Sequence, residues 1–303
     1  MGRPMAARLL AAGFNLQIWN RSSAAAHDFQ GEVPPDQRKR LRVAATAAEA
    51  VSGADVSISM LSDGPAVRAV LFGAANQEAC AEGVARHLKA GSVWLDMSSI
   101  PPETARQHAQ ALAELGVTAL DAPVSGGVVG AAAGTLAIMV GGDAGVMPRL
   151  APVFAALGRV TPVGPAGAGQ LAKLANQVIV GVTIGAVAEA LLLAARGGAD
   201  AEAVRAAIRG GFAESRILEL HGARMLEDTF APGGAVQTQL KDLRTALAAA
   251  EAAGLDLPIT ALLAELFADA VEAGDGNLDH AALLREIGRR NGLPANSLLR
   301  PPH

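Results

Sequence analysis

The order in which two hydrophobic patterns follow one another limits this chain more than any single residue. In the first half, short β-rich runs alternate with helical, Ala-rich stretches; after Gly167 the strands stop. Residues 15–19, 55–60, 92–96, 117–121 and 136–140 read as strands, and 4–12, 102–115 and 144–157 as helices. Such alternation implies βαβ units and a mostly parallel sheet. Beyond Gly167, Ala, Leu and Glu dominate through Arg290, which predicts an all-helical part. It opens with one long helix over 170–196, about 40 Å at 1.5 Å per residue, closed by Gly197-Gly198. The expected fold is α/β: a doubly wound sheet domain over 1–163, then an all-α domain over 164–303.

With 303 residues, half of them apolar (51%), there is material for two cores. A net charge of −4 argues against a nucleic-acid partner. The one dense basic run, Arg38-Lys39-Arg40 with Arg42, reads as a solvated loop. Cys80 stands alone, so neither a disulfide framework nor a Cys-based metal site is expected, and a cytoplasmic compartment fits. The first thirty residues do not read as a signal peptide. Residues 178–195 are apolar apart from Thr183 and Glu189. A carboxylate within a lone spanning helix costs about 2.5–3.5 kcal/mol, so a buried helix is expected, not a membrane span. No fixed-period repeat is visible, and the Pro-rich tail over 293–303 is expected to be loose.

The beginning is unusual for a doubly wound nucleotide-binding domain. Such a domain needs a first strand ending in a Gly-rich turn, which lets the backbone approach a pyrophosphate at a helix N-terminus. Here Met1-Gly2-Arg3-Pro4 leads directly into a helix, and 16–19 reads as a second strand. Gly2 would be only the last glycine of a Gly-x-Gly-x-x-Gly turn. About 18 residues on lies Asn20-Arg21-Ser22, where an acidic residue would bond an NAD ribose and an Arg accommodates the 2′-phosphate of NADP. The run leans toward NADP(H), although an ordinary turn with a surface Arg explains it equally well.

Three clusters could carry chemistry. Asp121-Ala122-Pro123-Val124-Ser125-Gly126-Gly127 ends a strand in a hydroxyl and successive backbone N–H groups, suited to a carboxylate; a plain Gly-rich turn is the simpler reading. In the run from Gly167 to Gln177, Lys173, Asn176 and Gln177 share one helix face amid Leu, Ala and Val. A Lys in such company can serve as acid or base, or it can snorkel to solvent. Lys241-Asp242, followed by Leu243, Ala246 and Leu247, is either surface decoration or part of a helix pressed onto the protein.

Taken together, these motifs resemble the β-hydroxyacid dehydrogenase family. The resemblance spans essentially the whole chain: residues 19–22, Met60-Leu61-Ser62-Asp63-Gly64, Asp96-Met97-Ser98-Ser99, the run from Asp121 to Gly142, that from Gly167 to Asn176, and Lys241-Asp242-Leu243. It implies a Rossmann-like, NAD(P)-dependent oxidoreductase without a metal, working on a small carboxylate as a homodimer or homotetramer. Lys173 would exchange the proton with the substrate oxygen and Asn176 would position that oxygen. Ser125, Gly126 and Gly127 would hold the carboxylate. Gly2, Asn20, Arg21, Ser22, Leu61, Ser62, Ser99 and Lys241 would contact the cofactor.

The departure is the absent first strand with the first two glycines. Met1 matches an internal position of the family pattern, so a start upstream is expected; otherwise the sheet lacks a central strand and the pyrophosphate most of its cradle. Within the family, 2-hydroxy-3-oxopropionate (tartronate semialdehyde) reductase ranks first, with 3-hydroxyisobutyrate dehydrogenase-like and glyoxylate or succinic semialdehyde reductases close by. An imine reductase is a rival, opposed by Lys173, since those relatives commonly carry Asp or Tyr there. A non-catalytic scaffold on a truncated reductase fold is the rival of another class.

Overall fold

The computed structural model describes residues 1–74, 82–294 and 298–299. Two units separate by their internal contacts, Met1–Lys173 and Leu174–His303. Cys80 and most of the 293–303 tail lie outside the described residues, although Leu298 is buried in the helical core.

The first unit contains two pieces of sheet, a small parallel one and a larger mixed one. In the smaller, β1 (Leu16–Ile18) pairs with β2 (Leu41–Val43). In the larger, β3 (Val56–Ser59), β4 (Val93–Asp96) and β5 (Thr118–Asp121) run parallel in that order. β6 (Val124–Ser125) and β7 (Leu136–Gly141) add antiparallel pairings, and β8 (Gly158–Gly164) runs parallel along the other edge of β7. β4 is buried along its whole length, as a strand covered on both faces must be.

The five strands expected from the sequence are present, four of them trimmed by a residue or two and β7 one residue longer than expected. Three others gave no signal. β2 is three residues long and emerges from the basic run, β6 has two residues, and β8 carries Pro162, which an edge strand tolerates. The basic run is solvated as expected, with Lys39-Arg40 in a turn, but its ends lie in a helix and a strand and its arginines are tied down. Arg38 ends a short helix and donates to the carbonyls of Gly31 and Val33, Arg40 donates to that of Leu10, and Arg42 lies in β2 beside Glu49.

Among the described residues the two sheets do not pair. Between them lies a cavity of about 1010 Å³, with residues 16–20 on one flank and 55–61 on the other. This is where a doubly wound sheet would hold its first strand. The first helix, Gly2–Ala11, packs Met5 and Leu9 into the core of the larger sheet; four residues apart, they share its inner face.

The second unit is helical. Among the described residues it has no strand, only an isolated bridge between Ala235 and Asp279. The long helix Ala168–Arg196 starts in the first unit and continues into this one, where Ile184, Ala188, Leu191 and Ala195 are buried. It is long and apolar enough to cross a membrane. Here that apolar face makes a protein core with Leu218, Leu243, Phe267 and Leu283. Gly181 and Gly185 let the helices Val236–Ala252 and Pro258–Ala270 approach: a Cβ at Gly181 would lie 2.8 Å from Gln239 Nε2, and one at Gly185 2.7 Å from a Leu263 methyl.

Candidate functional site

Parallel strands end together, so their C-terminal loops form one rim, the usual place for a ligand in an open α/β sheet. Here β3, β4 and β5 deliver Leu61-Ser62, Ser98-Ser99 and the 122–127 loop to that rim. Buried polar groups tie the loops together. Ser59 Oγ donates to Asp96 Oδ1 at 2.8 Å, the Ser98 amide donates to the same oxygen at 3.0 Å, and the Leu61 amide donates to Ser98 Oγ at 2.9 Å. Asp96 is 4% exposed, and its Oδ2 has no partner. Burial pushes its carboxyl up to about 6, against the pull of the bonds from Ser98 and Ser59.

Asp121 does the corresponding work one strand over. Its Oδ1 accepts from the Gly167 amide at 2.7 Å and its Oδ2 from the Gln170 amide at 2.8 Å, which satisfies N–H groups at the start of the long helix. Burial raises its carboxyl as well, and these amides oppose the rise. Gly169 and Gly141 make the approach possible: a Cβ on Gly169 would meet the Asp121 carbonyl at 2.5 Å, and one on Gly141 would meet Asp121 Oδ1 at 2.6 Å. Gln170, 1% exposed, donates through Nε2 to the Ser98 carbonyl at 2.9 Å and accepts from the Ile100 amide at 3.1 Å. The helix therefore leaves the rim in a fixed position, and Lys173 follows Gln170 by three residues, half-buried.

The remaining residues expected at the site divide between the units. In the first, Ser125 ends β6 half-buried, and Gly126 (φ 134°) and Gly127 (φ 63°) turn the chain into the helix Gly127–Ala133. No residue with a Cβ takes both conformations without strain. Both glycines are exposed. Asn20, Arg21 and Ser22 follow β1 on the surface, with Asn20 Nδ2 donating to the Ser22 carbonyl at 2.9 Å. Leu61 and Ser99 are half-buried; Ser62 is exposed and donates to Asp63 Oδ2 at 2.9 Å.

In the second unit the structure joins Asn176 to Lys241. Asn176 Nδ2 donates to Gln177 Oε1 at 2.8 Å, Gln177 Nε2 to Asp242 Oδ2 at 2.7 Å, and Lys241 Nζ lies 3.0 Å from Asp242 Oδ1. Gln239 closes the group, its Nε2 donating to the Gln177 carbonyl at 2.9 Å.

Sequence reasoning assigned no role to Asp96, Asp121, Gln170 or Gln239. The first two had a legible signal, since each is an acid closing a buried apolar strand. The two glutamines had none: an amide on a helix looks the same whether it is buried or solvated.

A dinucleotide would meet fitting groups at both ends, Asn20, Arg21 and Ser22 at one and Leu61, Ser62 and Ser99 at the other. Between them the first helix opens at Gly2, and with no side-chain cap from Met1 its first amides are left for a pyrophosphate.

Comparison with known proteins agrees with the two-part layout. The family model for the NAD binding domain of 6-phosphogluconate dehydrogenase matches residues 1–167. That for the NAD-binding domain of NADP-dependent 3-hydroxyisobutyrate dehydrogenase matches residues 167–287. The chain is 43% identical to the 2-hydroxy-3-oxopropionate reductase of Escherichia coli K12 over 289 residues, covering 95% of this chain and 94% of that one. It is similar to the Mycobacterium tuberculosis 3-hydroxyisobutyrate dehydrogenase structure with L-serine: TM-score 0.82, 32% identity, 95% of both chains. An imine reductase from Pseudomonas sp. shares the fold at 19% identity and TM-score 0.58, over 95% of this chain and 96% of that one.

Proposed function

Because the chain belongs to the 3-hydroxyisobutyrate (β-hydroxyacid) dehydrogenase family, and so to the NAD(P)-dependent oxidoreductases acting on CH–OH groups, we propose that it reduces a small acid semialdehyde, 2-hydroxy-3-oxopropionate first among them. The observation that carries this substrate is the 43% identity to the Escherichia coli reductase across nearly all of both chains. NADP(H) is favoured over NAD(H), because Asn20-Arg21-Ser22 offers a cation and no carboxylate that would repel a 2′-phosphate.

The roles follow from the residues. Ser125 Oγ and the backbone amides of Gly126 and Gly127 hold the substrate carboxylate. Lys173 Nζ gives its proton to the carbonyl oxygen during reduction and takes it back during oxidation. Asn176, three residues further along the same helix, orients that oxygen. Asp121 and Gln170 fix where the helix begins, and so where Lys173 stands. The nicotinamide, when bound, supplies the hydride.

The test is NADPH oxidation with 2-hydroxy-3-oxopropionate, glyoxylate, succinic semialdehyde and methylmalonate semialdehyde, with a cyclic imine alongside. The three-carbon semialdehyde is expected to give the highest kcat/KM, and Lys173→Ala to lower kcat by about 10²–10⁴-fold. Turnover of the imine alone would overturn the reading.

A further inference from the structure

A primary amide has the same shape either way round, so its neighbours decide which end donates. In the helical unit that decision passes along a row of side chains. It starts at Asp242, 2% exposed, whose Oδ1 lies 3.0 Å from Lys241 Nζ. A carboxylate paired with an ammonium group offers lone pairs only. Its Oδ2 accepts from Gln177 Nε2 at 2.7 Å, so the nitrogen of Gln177 has to face Asp242. Gln239, 1% exposed, sets the same polarity independently. Its Nε2 donates to the Gln177 backbone carbonyl at 2.9 Å, which can only accept, and its Oε1 is thereby turned toward Gln177 Nε2 at 3.4 Å. The other way round, Gln177 would set its oxygen against two acceptors on buried residues, which is costly. Its Oε1 therefore points to Asn176, and Asn176 Nδ2 donates to it at 2.8 Å.

We propose that Asp242, acting through Gln177, fixes which way round the Asn176 amide stands, and that this orientation selects a substrate with a hydroxyl beside its carbonyl. Selection of this kind rests on the function proposed above, in which Asn176 meets the substrate oxygen. With one N–H given to Gln177, Asn176 keeps its other N–H and the lone pairs of Oδ1. That is a donor and an acceptor on one planar group. A carbonyl oxygen can only accept, so it takes the N–H. A hydroxyl on the next carbon can give its proton to Oδ1. 2-Hydroxy-3-oxopropionate carries both groups, whereas 2-methyl-3-oxopropionate (methylmalonate semialdehyde) has a methyl of nearly the same size in place of the hydroxyl. The methyl leaves Oδ1 without a proton donor. A site built to bond a hydroxyl rejects the analogue lacking it far more strongly than an apolar pocket rejects an added hydroxyl. An Asn176 at liberty to turn would offer the substrate either end, and the selection would fade. In this role Asp242 is a positioning residue, acting on the substrate through two amides.

The experiment follows NADPH oxidation by the full chain with these two acids and reads the ratio of their kcat/KM values. It compares the wild type with Asp242→Asn, Gln177→Leu, Asn176→Ala and the double variant Asp242→Asn/Asn176→Ala, with Tm recorded for each. The wild type is expected to prefer the hydroxy acid by at least about 10²-fold. Asp242→Asn puts a possible donor where only acceptors stood, lets Gln177 turn, and is expected to cut that ratio by about tenfold. Gln177→Leu breaks the row while leaving Asp242 beside Lys241 and should do the same, so the test stands if one of the two does not fold. With Asn176→Ala already in place, Asp242→Asn should change the ratio no further. Equal turnover of the two acids by the wild type, or preference for the methyl acid, overturns the selection and leaves the chain a semialdehyde reductase. An equal loss on both acids in Asp242→Asn, with the ratio kept, gives Asp242 a purely structural role and overturns it too. So does a further fall of the ratio in the double variant. Turnover of neither acid overturns the function proposed above, and this selection with it.

Discussion

Each unit buries carboxylates, and Asp279 in one and Asp96 in the other are treated in opposite ways. Asp279, in the helical unit, is 0% exposed and fully engaged. Its oxygens accept from Arg224, from the amides of Gly233, Gly234 and Ala281 at 2.9, 3.2 and 3.1 Å, and lie 3.3 Å from His221 Nδ1. Although burial pushes its carboxyl up, His221, His280 and these amides outweigh that and hold it well below the usual range. Asp96, in the nucleotide-binding unit, is nearly as buried but keeps one oxygen unmatched, and burial wins. A fully satisfied carboxylate is a structural tie, here between the helix Arg216–Glu227, the 233–234 loop and the turn at 279–281. A half-satisfied one at a ligand rim is a group that stability alone would not select.

Removing the tie should cost most. Asp279→Ala strands Arg224 and His221 and leaves three amides bare, and is expected to destabilise the protein by about 3 kcal/mol, read from urea unfolding. A loss under about 1 kcal/mol would mean that water replaces the carboxylate and that the contrast between the units is overstated.

Gln170→Leu should come next. It leaves the Ser98 carbonyl and the Ile100 amide buried without partners, at about 1–3 kcal/mol together. Because Gln170 stands three residues before Lys173, the change is also expected to lower kcat more than it raises KM. Glu at the same position keeps the acceptor for Ile100 and should recover part of the stability; failure to do so would separate the helix anchor from its hydrogen bonds.

The smallest effect is the most specific, since it depends on sign. Asp96 binds its proton more tightly in the folded chain, at about 6 against an unfolded value near 3.9. Its contribution therefore makes stability fall as pH rises from about 4 to 6 and level off above. Asp279 works the other way: its stabilisation is present above about pH 4 and fades as acid protonates the unfolded chain. Unfolding measured from pH 4 to 7 should show the Asp96 slope in the wild type and lose it in Asp96→Asn. An unchanged slope would assign the titration to Asp121, whose carboxyl is raised for the same reason.

Much of this was legible in the sequence because it is local. Alternation of short apolar runs with helical stretches needs only neighbours to read, and it located β1, β3, β4, β5 and β7 and the long helix. Ser125, Gly126 and Gly127 stood out as a hydroxyl followed by successive backbone N–H groups, and Lys173 and Asn176 because three residues is nearly one turn. Other things were settled only when distant residues met. Asp121 reaches Gly167 and Gln170 across some 46 and 49 positions, Asp96 reaches Ser59 across 37, and Gln177 meets Asp242 across 65. No short-range pattern encodes such pairings, because each is decided by which polar groups packing buries together and must then satisfy. The same holds for the cavity between β1 and β3. The sequence marks β1 and β3 as strands, but only the packed structure shows that they belong to separate sheets and line one space, because strand pairing is decided once the neighbours are in place.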